Sequence, residues 1–191
     1  MYRFLCLIVR AFISLIFRVK VVGADNIPRE GGFLLCGNHI SNWDAPLIQV
    51  FIKRRIYYMA KDELFHAFGV GLILKLIKAI PVKRSGADFN SIKLAIKTVK
   101  NGDVLGIFPT GQREKVKGEG EVKSGVGFLA VKTDAPVIPV RIVASYRLFS
   151  RVTMYIGSPR TYSPSEGKPT AEDYENISKA IYNDIKMLGE E

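Results

Sequence analysis

The chain holds two histidines, and His39 is followed five residues later by Asp44 within CGNHISNWDAPLI. A histidine whose one ring nitrogen is held by a carboxylate keeps a fixed tautomer and offers the other nitrogen as a base. Such a base is worth roughly 10²–10⁴-fold in rate. On one helix, residues five apart point about 140° away from each other, so the pair can meet only across a turn. The spacing alone admits two readings, a catalytic dyad or a capped polar turn without chemistry. Ser41 and Cys36 lie in the same stretch and are nucleophile types. Ser41 sits where hydroxyls commonly bond backbone, and Cys36 lies in an apolar run as a small buried hydrophobe would.

The turn that the dyad needs is present in the pattern. GGFLLCGNH gives a short apolar strand over 32–36 closed by Gly37, and Asp44-Ala45-Pro46 predicts a helix start with Asp44 as N-cap and Pro in the first turn. That helix runs to about Phe51. His39 then stands at a strand end and Asp44 at a helix start, where sites open in α/β folds. Further strands are expected over 18–23, 56–60, 80–82, 104–108, 136–143 and 152–156. Helices are expected over 88–101, with Phe89, Ile92, Ile96 and Val99 as the apolar face, over 124–132, and along the stripe Tyr174, Ile177, Ile181, Ile185 and Leu188. Residues 61–79 read as helical with a break near Gly69 and Gly71. The alternation implies a single α/β domain, a mostly parallel central sheet flanked by helices.

The length of 191 residues suits one domain with a full core. The net charge is +10, unevenly spread: residues 164–191 carry three Lys against seven acids, a net −4, so residues 1–163 carry +14. A basic body points to an anionic partner such as anionic lipid, nucleic acid or a phosphorylated substrate. Two Cys and two His match no zinc-finger or ribbon spacing, so no metal is expected.

The first segment, MYRFLCLIVRAFISLIFRVK, has no Gly or Pro. At 100° per residue Arg3, Arg10, Ser14 and Arg18 fall within about 80°, and Leu7 is the one apolar residue in that stripe. Seventeen helical residues span only about 25 Å, with Arg10 in the middle, which argues against a transmembrane span. No small-residue cleavage site follows, which argues against a signal peptide. Residues 1–17 are therefore expected as an amphipathic, membrane-associating helix ahead of a domain over 18–191; a core-packed helix with one solvated stripe is the alternative.

Five blocks in order carry a resemblance. Asn38-His39-Ile40-Ser41-Asn42-Trp43-Asp44 matches the NHxxxxD motif of the glycerolipid acyltransferase superfamily. Lys61-Asp62-Glu63-Leu64-Phe65 looks like its KxELF block, and Ile80-Pro81-Val82-Lys83-Arg84 is similar to its second motif. Phe108-Pro109-Thr110-Gly111-Gln112-Arg113 resembles its FPEGTR motif, and Ala135-Pro136-Val137-Ile138-Pro139-Val140 its VPIIPV motif. The resemblance spans roughly residues 18 to 143, and the member class it is most similar to acylates 1-acylglycerol-3-phosphate.

The resemblance implies that His39 takes the proton of an acceptor hydroxyl, Asp44 orients it, and the oxygen attacks the thioester of an acyl-CoA or acyl-carrier protein with no acyl-enzyme. It implies an acceptor-phosphate site from Lys61, Arg84, Thr110, Gly111 and Arg113, Arg being suited to bind phosphate oxygens in pairs. The expected product is phosphatidic acid, made from a lysophospholipid by a protein peripheral or monotopic on the cytoplasmic face of a membrane. The donor thioester is a substrate, so no cofactor is expected. The apolar part of 61–79 could shelter an acyl chain or be ordinary core. One departure bears on the acceptor: Thr110 stands where the motif has Glu, and a hydroxyl accepts more weakly than a carboxylate. Two other readings stand beside this one: an acyltransferase for a different lysophospholipid or alcohol, and a non-catalytic basic membrane-binding module. Nucleic acid is disfavoured as a partner, since the lysines are spread over several elements and no nucleic-acid motif is present.

Overall fold

The computed structural model describes residues 2–82, 88–114, 120–164 and 167–190. Its strands are β1 Arg18–Val22, β2 Phe33–Gly37, β3 Ile56–Lys61, β4 Ile80–Val82, β5 Val104–Ile107, β6 Val137–Ala144 and β7 Arg151–Ile156. They form one sheet in the order β1-β7-β6-β2-β5-β3-β4. Neighbours are parallel except β6 and β7. The exception has a simple cause: residues 145–150 are too few for a crossover, so the chain must turn back on itself.

The helices are α1 Tyr2–Ile16, α2 Asp44–Phe51, α3 Val70–Leu76, α4 Phe89–Lys100, α5 Gly125–Thr133 and α6 Ala171–Met187. Phe33 and Leu35 of β2 pack into one core with residues of α1 and α2, including Ile13, Leu47 and Ile48. Leu34 and Cys36 pack into a second core with residues of α4, α5 and α6. Successive side chains of a strand face opposite ways, so a strand covered on both sides must be apolar at every position. FLLC in β2 is such a run, and the sheet is the middle layer of three. The expected α/β architecture is what the chain adopts.

Of two local expectations, one holds and one needs correction. The 61–79 segment breaks near Gly69 as expected: a 3-10 turn over Asp62–His66 is followed by α3, which starts after Gly69 at φ 74°. In α4 the expected apolar face holds at Ile92, Ile96 and Val99, which pack on the second core, but not at Phe89, which is 76% exposed while Ser91, Ala95 and Thr98 are buried. The reason is close approach: the Ser91 hydroxyl reaches both Asp88 and the Pro81 carbonyl of β4, so small side chains line the contact and the bulky ring is turned out.

Around α1 the residues sort into three sectors. Ile13 is buried, with Cys6, Val9 and Ile16 packed beside it against the core. Phe4, Leu7, Ile8, Phe12 and Leu15 are exposed. Arg3, Arg10 and Ser14 run between these two faces on the helix wheel, and the Arg10 guanidinium lies 4.9 Å from the Phe51 ring centroid at the end of α2. No helix among the described residues is long and apolar enough to cross a membrane.

Candidate active site

β2 leaves the sheet after Gly37, and the way it leaves sets the site. Gly37 is the last β2 residue paired with β6. The side chain of Asn38 continues the ladder: its amide donates to the Ile142 carbonyl at 2.9 Å, and its oxygen accepts from the Ile142 amide at 2.7 Å. A side-chain amide thus replaces a backbone rung, freeing the main chain to turn at His39 while buried groups stay paired.

His39 meets Asp44 across that turn. Nδ1 lies 2.9 Å from Oδ2 of Asp44. The same carboxylate oxygen accepts from the amides of Ile40 and Ser41, both at 2.7 Å, and Oδ1 accepts from the Tyr146 hydroxyl at 2.5 Å. Asp44 is 0% exposed, so these four partners stand where water would. Such a set suits an ionised carboxylate, which only accepts. A proton on Nδ1 then leaves Nε2 as the basic nitrogen of a ring that is still 19% exposed. The ring stacks on Phe108 at 4.2 Å, and Phe108 stacks on Tyr58 at 5.9 Å. Gly106 makes room for this column, since a Cβ there would stand 2.4 Å from the Tyr58 ring.

Asp44 does not cap α2 as expected. Trp43 is the N-cap and makes no side-chain bond; Asp44 is the first helical residue. Its carboxylate turns back toward the preceding loop, because three donors there are already aimed at it. Neither nucleophile type is poised. The Ser41 hydroxyl accepts from the Trp43 amide at 3.3 Å, and burial pushes the Cys36 thiol up, disfavouring a thiolate.

β5 lies beside β2, and its following loop is tied to the dyad, since the Glu114 amide donates to the His39 carbonyl at 2.7 Å. Gly111 sits at φ 64°, a left-handed position that favours glycine, and its amide closes a turn on the Phe108 carbonyl at 2.8 Å. Gly111 and Arg113 are exposed. Thr110 is only 2% exposed, and its hydroxyl donates to the Gln112 carbonyl at 2.7 Å, so that oxygen serves the loop itself. Glu114 lies beside Tyr182 of α6; burial first, then this carboxylate, pushes that phenol up to about 12. Lys61 ends β3, the next strand, and is exposed at the same sheet edge. Arg84 lies outside the described residues.

Several contributors were not among the candidates. Asn38 and Phe108 lie inside the quoted motifs without being singled out. Lys123 donates its amide to the Pro109 carbonyl at 3.0 Å, and its Cδ stands 3.4 Å from where a Cβ on Gly111 would be, which adds a cation to this loop. Tyr146 lies in the β6–β7 turn, and no local pattern flags it.

The Acyltransferase family model matches residues 18–143. A 1-acyl-sn-glycerol-3-phosphate acyltransferase of Bacillus subtilis (strain 168) is 32% identical over 195 residues, covering 98% of this chain and 96% of that protein. The human 1-acyl-sn-glycerol-3-phosphate acyltransferase alpha is 30% identical over 135 residues, covering 69% of this chain but 47% of that longer protein. The crystal structure of a 1-acyl-sn-glycerophosphate (LPA) acyltransferase from Thermotoga maritima superposes with a TM-score of 0.70 at 28% identity, covering 95% of this chain and 78% of that one.

Proposed function

This chain belongs to the acyltransferase family, and we propose that it moves an acyl chain from a thioester, acyl-CoA or acyl-carrier protein, to the free hydroxyl of 1-acylglycerol-3-phosphate, giving phosphatidic acid at a membrane surface. The observation that carries the reading is the buried Asp44, which accepts from Ile40, Ser41 and Tyr146 and lies 2.9 Å from His39 Nδ1; with the proton on Nδ1, Nε2 is the base. Nε2 takes the proton of the acceptor hydroxyl as its oxygen attacks the thioester carbonyl. The tetrahedral intermediate collapses with loss of the thiolate, which recovers the proton from His39. The imidazolium formed between these steps lies against the ionised Asp44, which stabilises it. A satisfied Ser41 and a buried Cys36 support direct transfer without an acyl-enzyme.

The acceptor's phosphate falls to the loop after β5, where Arg113 and Lys123 flank Gly111, and to Lys61 at the neighbouring strand end. The buried Thr110 hydroxyl, which donates to the Gln112 carbonyl, supports this site by shaping the loop. The outward face of α1 supports seating on a lipid surface, with Phe4, Leu7, Ile8, Phe12 and Leu15 toward the acyl region and Arg3 and Arg10 level with headgroups. The cytoplasmic face is the expected side, where thioester donors are found.

An acceptor panel with radiolabelled acyl-CoA, read by lipid chromatography, tests the reading. Lysophosphatidic acid is expected to be acylated fastest; preferred acylation of a phosphate-free alcohol would overturn the acceptor assignment. For membrane seating, Phe12→Glu with Leu15→Glu should lower vesicle binding at least about tenfold, each apolar side chain contributing about 1.5–3 kcal/mol when buried. Unchanged vesicle binding would remove α1 as the contact. Deleting residues 1–17 is a poorer test, because it also removes Ile13 and Phe17 from the core.

A further inference from the structure

Asp44 offers two oxygens, and they are held from different parts of the chain. Oδ2 takes His39 and two amides of its own loop. Oδ1 takes the hydroxyl of Tyr146, 102 residues downstream in the turn between β6 and β7. With Asp44 sealed from water, this is the one partner recorded for Oδ1 among the described residues.

Tyr146 occupies that place at φ 51°, a left-handed conformation that aromatic residues rarely take. Such backbone persists where the surroundings over-determine it, and it concentrates at functional sites. Here the surroundings can be named. The Tyr146 ring meets the edge of Phe17 at 5.5 Å, and Phe17 meets Trp43, the residue before Asp44, at 5.7 Å. The turn is also tied to the end of α1, where the Phe149 amide donates to the Ile16 carbonyl at 2.7 Å. Burial, then the negative Asp44, pushes the phenol well above its ordinary value, so the hydroxyl remains a donor throughout any working range.

We propose that Tyr146 is a positioning residue for acyl transfer: by occupying Oδ1 it locks the Asp44 carboxylate, and so holds the His39 proton on Nδ1 and Nε2 toward the acceptor. The inference rests on the reading of His39 as the base. Without the hydroxyl, Oδ1 is a buried acceptor with no donor, and the carboxylate gains a reason to rotate and exchange partners. The ring on His39 then loses a fixed tautomer, and the base is in the wrong protonation pattern for part of the time.

Tyr146→Phe removes one oxygen and keeps the ring between Phe17 and its neighbours. The expected result is a fall in kcat of about 10–100-fold, the scale of a mispositioned catalytic group, with KM for donor and acceptor within about twofold. Imidazole ¹⁵N spectra give the second readout. His66 is exposed on the 3-10 turn and no step involves it, so His66→Gln leaves His39 as the one histidine signal. In that background His39 should show a single Nδ1–H tautomer, and adding Tyr146→Phe should move it toward a tautomer average. Wild-type kcat in Tyr146→Phe, or a raised KM with kcat retained, overturns the proposal. So does a mixed His39 tautomer in protein that still carries Tyr146, a result that needs no Tyr146 variant to fold. Retained turnover in His39→Ala overturns the base reading instead, since the ¹⁵N signature reports the hold on His39 without any turnover.

Discussion

Two loops leave the same edge of the sheet from neighbouring strands, and they are built in opposite ways. The loop after β2 is closed: Asn38 pairs with both polar groups of Ile142, and Asp44 meets four partners while fully buried. The loop after β5 is open: Gly111, Gln112 and Arg113 face solvent, and no ion pair among the described residues involves Arg113. A proton-transfer group must be in place before substrate arrives, so its partners are internal. A phosphate brings its own charge, so the cations meant for it are best left without partners. Under the proposed function the difference separates chemistry from recognition, and it would give each loop its own kinetic signature.

The largest break should come at the closed loop. His39→Ala is expected to lower kcat by about 10²–10⁴-fold while the protein still folds, with a stability loss of about 1–3 kcal/mol from the missing Asp44 partner; wild-type turnover would end the dyad reading. Asn38→Ala strands the Ile142 amide and carbonyl in the core. It should cost about 2–4 kcal/mol in urea unfolding, and a loss within 0.5 kcal/mol, roughly the surface-site range, would show that another group replaces the rung. At the open loop the effect should fall on binding. Arg113→Ala is expected to raise the acceptor KM by about tenfold, the scale of a charge-assisted bond, with kcat little changed; an unchanged KM takes Arg113 out of the phosphate site. Lys123→Ala should act in the same direction and less, about threefold for an exposed cation, and a kcat effect without a KM effect would erase the distinction between the loops.

The smallest effect is a pH dependence of stability, to which the closed side contributes through Tyr146 and the packing behind the open loop through Tyr182. Burial raises the phenols of Tyr58 and Tyr146, and of Tyr182 to about 12. A raised value in the folded state means stability that is complete below the unfolded value of about 10 and is lost as pH climbs from there through the folded values. Melting points taken between pH 8 and 11.5 should be level at first and then fall, with a shallower fall in Tyr146→Phe. A flat profile across that range would mean that these hydroxyls ionise as freely as in the unfolded chain.

His39 and Asp44 were legible because a strand–turn–helix pattern is local, and every element of it lies within 32–51. The role of Asp44 was less so. An acidic residue before Ala-Pro reads as a cap, yet the same residue type serves equally well as the anchor of the loop behind it. Phe89 was misplaced because periodicity reports where apolar residues recur, whereas the spacing between helix and sheet decides how large an inward side chain can be. Tyr146 could not be seen, since its contact to Asp44 spans 102 residues and depends on a turn whose conformation no sequence rule requires. The mostly parallel sheet was readable from alternation alone, while the reversal at β7 needed the length of the preceding turn.

Consider again the helix that opens the chain. Ile13 is buried in the core, and Arg10 rests on Phe51, so α1 cannot roll about its own axis. A helix free to roll sinks into a soft layer to whatever depth suits its greasy side. This one is bolted, so on a lipid surface its depth would be set by how far five side chains protrude from a rigid body. On the membrane seating proposed above, the helix would work as a keel: it would fix the attitude of the whole molecule on the surface, and with it the height at which Nε2 of His39 rides above the lipid tails.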